Sequence, residues 1–97
     1  MEGWVLTSRD ESPIVLRLPP GSIKTVGRTA RADFIVDAAL ISRLHCRLLA
    51  DPSHQLVVED LRSTNGTLVN GQRVDRSVLR PGDVVTIGRI EFQVSEA

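Results

Sequence analysis

A single cysteine, Cys46, leaves no partner for an internal disulfide in this 97-residue sequence, and a small domain without one fits a reducing, intracellular setting such as cytosol or nucleus. Aromatic side chains are nearly as scarce. Trp4, Phe34 and Phe92 are the only three and tyrosine is absent, so the stacking platforms of single-strand nucleic-acid binders are missing. Charge of one sign is lacking too: twelve Lys and Arg balance twelve Asp and Glu, which removes the cationic field that non-specific DNA or RNA binding needs. No metal is expected, because His45 and Cys46 are adjacent and would point to opposite faces of a strand, which leaves His54 without a partner at ligand spacing. No apolar run approaches the about 18 residues of a membrane span, and Met1-Glu2-Gly3-Trp4 has no basic region leading into an apolar one. Two domains would need roughly 100 to 200 residues each, so one domain over residues 1–97 is expected. A chain this size buries about 60 to 65% of its unfolded surface, which leaves little material for a deep catalytic cleft.

What is present is β-structure. Twenty-four residues are Val, Ile or Thr, arranged in short runs separated by Gly, Pro, Asn, Asp and Ser, the pattern of an all-β sandwich or barrel. Strands are expected near Trp4–Thr7, Ile14–Leu18, Ile23–Val26, Phe34–Val36, Cys46–Ala50, Gln55–Asp60, Thr67–Val69, Val84–Ile87 and Ile90–Val94, with no helix. Asn65-Gly66 and Asn70-Gly71 tolerate positive φ and bracket the strand Thr67–Val69. Pro81-Gly82 makes another turn, and Ile87-Gly88-Arg89-Ile90 reads as a tight hairpin. Residues 38–44 are neither alternating nor turn-rich, and a loop that long in a small domain tends to be functional.

Eleven of the twelve basic residues are Arg, which suits two-pronged recognition of oxyanions or reflects nucleotide composition. Three elements line up: Gly27-Arg28 ending a strand, Ser42-Arg43-Leu44-His45 entering one, and Asp60-Leu61-Arg62-Ser63-Thr64-Asn65-Gly66-Thr67 across a turn. Arg28 presents a fixed fork matching two phosphate oxygens; its bland alternative is an ion pair with Asp33 or Asp37. Ser42 offers a hydroxyl and, if the loop turns there, a backbone N–H. The rival reading, a nucleophilic Ser42 activated by His45, needs a base-supported geometry. Arg43 adds a second cation or is a solvated surface residue, and Arg31 and Arg62 have only loop positions in their favour. Asn65 can donate and accept at a peptide main chain, yet Asn65-Gly66 would be a good turn without any ligand.

Taken together, these segments resemble the forkhead-associated (FHA) domain, a phosphothreonine-peptide binding module. The resemblance runs from about Val26 to Phe92, with Leu79, Gly82-Asp83 and Gly88 matching the closing L-x-x-G-D-x-x-x-x-G segment. It implies a sandwich of two twisted, mainly antiparallel sheets with about eleven short strands and binding loops gathered at one end. It further implies phosphate contacts from Arg28, Ser42 and Arg43, and peptide contacts from Thr64, Asn65 and Leu40. Gly27, His45, Ser63 and Gly66 would brace the loops. The partners it implies are phosphothreonine-containing proteins made by a Ser/Thr kinase, with no catalytic residue, cofactor, metal, nucleic acid or membrane involved. A recess for the threonine γ-methyl is also implied. The apolar run Ala38, Ala39, Leu40, Ile41 suggests an aliphatic preference about three places beyond the phosphothreonine. Phosphate-independent association or self-association is the alternative function.

Overall fold

The computed structural model describes residues 3–97; Met1 and Glu2, the first two positions of the expected 1–97 domain, lie outside the described residues. Among the described residues the chain forms eleven strands: β1 (Trp4–Ser8), β2 (Val15–Leu18), β3 (Ile23–Gly27), β4 (Phe34–Ile35), β5 (Cys46–Ala50), β6 (Leu56–Asp60), β7 (Thr67–Val69), β8 (Gln72–Val74), β9 (Arg76–Leu79), β10 (Val84–Ile87) and β11 (Ile90–Glu96). No helix occurs among the described residues. Six strands form one sheet, in the order β2-β1-β11-β10-β7-β8, and five form the other, β4-β3-β5-β6-β9. Antiparallel pairing prevails. The exception is β3 with β4, which run parallel and match Val26 with Phe34 and Gly27 with Ile35.

Alternation decides which side chains fill the space between the sheets. β1 buries Trp4, Leu6 and Ser8 and turns Val5 and Thr7 outward, while β5 buries Cys46, Leu48 and Ala50. Phe92, Leu6, Leu18, Leu48, Leu56 and Ile87 are fully buried, each contributing about 1.5 to 3 kcal/mol of apolar transfer. Cys46 lies among them, and burial first, then the charge of Asp60, pushes its thiol up to about 12 against a hydrogen bond with Thr67. On the outer face of the five-stranded sheet the ladders align Ile23 with Leu49, Leu49 with Val57 and Val57 with Val78. The two ends of this aliphatic row, Ile23 and Val78, are 59% and 45% exposed.

The sequence reading missed β8 and β9. Both are edge strands, and of their seven residues only Leu79 is buried, so neither carries the alternation that marks a half-buried strand. The two Asn-Gly pairs also differ. Asn70 and Gly71, at φ 50° and 83°, close a two-residue hairpin with Val69 opposite Gln72. Asn65-Gly66 closes no hairpin, because it joins β6 to β7 in the other sheet. Gly88, at φ 63°, turns β10 into β11 directly beneath residues 39–41, where a Cβ would approach Ile41 Cγ1 to 2.8 Å. At the opposite end of β11, Ala97 N–H donates to Gly3 O at 3.0 Å and Glu96 pairs with Trp4.

Candidate functional site

β3 delivers Arg28 to one end of the sandwich, and Gly27 makes that delivery possible. A Cβ on Gly27 would collide with the Arg43 carbonyl oxygen, so glycine lets the segment before β5 lie against the end of β3. There the backbones lock together, with Arg28 N–H donating to Ser42 O at 3.1 Å and His45 N–H to Val26 O at 2.8 Å. The Arg28 side chain is anchored as well: its Nε donates to Ile41 O at 3.0 Å. No hydrogen bond or ion pair among the described residues engages its terminal nitrogens. The alternative reading of Arg28, an ion pair with Asp33 or Asp37, is therefore not met. Asp33 instead accepts from Thr25 N–H at 2.9 Å and Thr25 Oγ1 at 3.1 Å, bonds that hold its carboxyl below the usual range.

His45 is completely buried and joins two loops. Its Nδ1 accepts from Ser42 N–H at 3.1 Å, and its Nε2 lies 2.8 Å from Gly66 O. A carbonyl only accepts, so Nε2 carries the hydrogen and Nδ1 is the bare nitrogen. This corrects two readings. The Ser42 N–H is committed to His45 and does not face outward. The imidazole has no lone pair left for the Ser42 hydroxyl, which removes the base that a nucleophilic Ser42 would need.

The Ser42 hydroxyl has a different neighbour. Its oxygen accepts from Thr64 N–H at 3.0 Å, which leaves its own proton to point elsewhere. Thr64 is set by a second hub, Asp60, whose carboxylate accepts from Ser63 Oγ at 2.5 Å, Ser63 N–H at 3.1 Å and Thr67 Oγ1 at 2.8 Å. Ser63 Oγ in turn accepts from Gly66 N–H at 2.9 Å. Partial burial would raise the Asp60 carboxyl, but the bonds from Ser63 and Thr67 outweigh it and hold the group below the usual carboxylate range. In the sequence Asp60 stands only as the first residue of the Asp60–Thr67 motif. Its signal was the spacing of hydroxyls at Ser63 and Thr67, which suits an Asp side chain that organises its own loop.

Asn65 fastens the third segment, its Nδ2 donating to Leu40 O at 3.1 Å. Leu40 sits at φ 69°, a left-handed conformation costly for a non-glycine residue. The Asn65 bond and the close packing of Gly88 against Ile41 hold it there. The three segments enclose a cleft of about 550 Å³ whose lining includes Arg28, Asp37, Leu40, Ser42, Thr64 and Asn65. Arg43 is exposed and outside this lining, as are Arg31 and Arg62. Of the apolar run 38–41, Ile41 is only 3% exposed and belongs to the core, so the apolar surface it was expected to offer comes chiefly from Ala39 and Leu40. No group of three or more His, Cys, Asp or Glu side chains among the described residues could hold a metal ion.

The FHA domain sequence profile matches residues 24–88, which span all three cleft-forming segments. The chain belongs to the FHA domain family. It is 46% identical over 75 residues to the ABC transporter ATP-binding/permease protein Rv1747 of Mycobacterium tuberculosis, a match covering 77% of this chain and 8% of that protein. It is 37% identical over 71 residues to the glycogen accumulation regulator GarA of the same species, covering 73% of this chain and 43% of GarA. The chain thus spans less than half the length of these relatives. A solved FHA domain from a study of phosphothreonine-dependent FHA domain interactions superposes with a TM-score of 0.88 at 32% identity, covering 98% of this chain and 97% of that one. The FHA fold therefore extends beyond the profile match to the first strands, which the sequence marked only as strand-like.

Proposed function

We propose that this FHA domain is a phosphopeptide-binding adaptor: its cleft takes up phosphothreonine in partner proteins modified by a Ser/Thr kinase and recruits them for intracellular signalling. The observation that carries the reading is the pairing of two prepared donors. Ser42 Oγ is held by Thr64 N–H and so has its proton to give, and Arg28 is anchored through Nε with its terminal nitrogens unengaged among the described residues. A phosphate arriving there replaces solvent with charge-assisted hydrogen bonds that need little rearrangement. The phosphothreonine dependence named for the superposed FHA domain points the same way.

In this reading Arg28 and Ser42 bind the phosphate, and Arg43 adds positive charge from outside the lining. Thr64, Asn65 and Leu40 contact the peptide. Gly27, His45, Ser63 and Gly66 keep the three segments in register. The domain performs no reaction and uses no cofactor. Two or three charge-assisted bonds at about 1.5 to 3 kcal/mol each, less ordering costs, give micromolar affinity, about −8 kcal/mol.

An oriented phosphothreonine library, run beside phosphoserine and unmodified versions, tests this. Phosphothreonine should bind best, phosphoserine about fourfold more weakly for the loss of one buried methyl at about 0.8 kcal/mol, and unmodified peptide hardly at all. Arg28→Ala and Ser42→Ala should each cost at least about tenfold. The alternative, phosphate-independent association, draws on the outer aliphatic row of the five-stranded sheet, whose ends Ile23 and Val78 are exposed. It requires equal binding to modified and unmodified partner.

A further inference from the structure

Among the described residues Asp37 is the one carboxylate that lines the cleft, an odd resident for a pocket built to receive a dianion. It is exposed, and among the described residues its side chain has no hydrogen bond and no ion pair. Its backbone is fixed by its neighbours. Val36 N–H donates to Gly27 O at 2.8 Å and Ala38 N–H to Val36 O at 3.1 Å, so Asp37 leaves the β3–β4 pair alongside Arg28 and turns at once. Arg28 and Asp37 therefore share one cleft but do not meet, since no nitrogen–oxygen separation of 4.0 Å or less joins them. Ala38, Ala39 and Leu40, which follow Asp37 in the chain, add apolar surface to the same lining.

An unpaired carboxylate beside a phosphate site repels every phosphopeptide through space, and it repels one with an acidic neighbour twice over. A ligand escapes that penalty by bringing a cation of its own. Resting on the phosphate reading above, we infer that Asp37 is a specificity residue, selecting phosphothreonine peptides that carry Lys or Arg close to the phosphothreonine and disfavouring acidic ones. A cleft of this volume is roughly 10 Å across, and an extended peptide advances about 3.3 to 3.6 Å per residue, so the basic residue falls within about three positions of the phosphothreonine. Discrimination here combines an attraction to the right ligand with a repulsion of the wrong one.

The test uses otherwise identical phosphothreonine peptides with Lys, Ala or Glu scanned through the three positions on either side, titrated against the intact domain and its Asp37→Asn and Asp37→Glu variants. At the position Asp37 reads, the unaltered domain should favour Lys over Ala by about threefold to tenfold and Ala over Glu by a similar factor, both ratios shrinking as salt is raised. Asp37→Asn should remove the Lys preference and tighten binding of the Glu peptide relative to the Lys peptide, a ligand-dependent change that general damage to the fold does not produce. Asp37→Glu should retain the ranking. A uniform change across all peptides in Asp37→Asn, or no Lys preference in the unaltered domain, with phosphate dependence intact, would overturn this inference alone. Loss of phosphate dependence itself would remove the reading on which it rests.

Discussion

Between the two sheets, Phe92, Leu6, Leu48 and Ile87 lose all contact with water and are held by apolar packing. At the cleft end, the segments carrying Arg28, Leu40, Ser42 and Thr64 are held mainly by hydrogen bonds that involve a side chain, within a loop or between two of them. His45 reaches Ser42 and Gly66, Asn65 reaches Leu40, Asp60 gathers Ser63 and Thr67, and Ser42 Oγ holds Thr64. Packing tolerates many sequences of similar volume, whereas each of these bonds needs a particular donor or acceptor at one position. The cleft's shape is thus specified by a handful of polar atoms and carried by an interior indifferent to what binds. If the two regions are this separable, substitutions should sort by region.

The largest effect belongs to the interior. Phe92→Ala should cost about 3 to 5 kcal/mol, seen as a large fall in Tm and in the denaturation midpoint, with peptide binding lost only because the domain unfolds. His45→Ala stands where the regions meet. It leaves Ser42 N–H and Gly66 O without their partner, worth about 1 to 3 kcal/mol, so Tm should fall and binding weaken in folded protein; unchanged Tm would show that His45 ties nothing together. Arg28→Ala should move binding by about tenfold while Tm stays within about 2 °C, because its side chain touches solvent and one carbonyl; a large loss of stability would break the separation. Acid gives the smallest effect. The Asp60 carboxyl is held below its usual value, so its contribution to stability is complete above the unfolded value near pH 4 and fades as pH falls through the lower folded value. Between about pH 4 and pH 2 the Tm of the unaltered domain should drop more than that of Asp60→Asn, by at most about 4 °C since the group is partly solvated.

The interior was the more legible region in the sequence. Alternation in Trp4–Ser8 and Cys46–Ala50 reports which side chains meet the core, because a strand's period is a local property. The edge strands β8 and β9 were hidden by their polar composition, and the parallel β3–β4 pair by its two-residue length. At the cleft, the motif residues Arg28, Ser42, Thr64 and Asn65 were legible as a set, and the fold brings them to one end. Their bonds were not. Ser42 and Thr64 lie 22 positions apart, as far as pairing that no local pattern encodes, so the sequence left open which atoms of Ser42 were already spoken for. Asp37 appeared only as a candidate partner for Arg28, since nothing in a linear sequence separates a carboxylate that neutralises a neighbour from one that lines the same cleft unpaired.

The two ends of the described chain meet at Gly3 and Ala97, at the pole of β11 away from the Gly88 turn that supports Leu40 and Ile41. Polypeptide fused before or after the domain would depart on that side, so the geometry behaves like a plug with its pins outward and both wires at the back. Such a unit can be spliced between unrelated segments, or moved from one host to another, without its mouth being covered by the join.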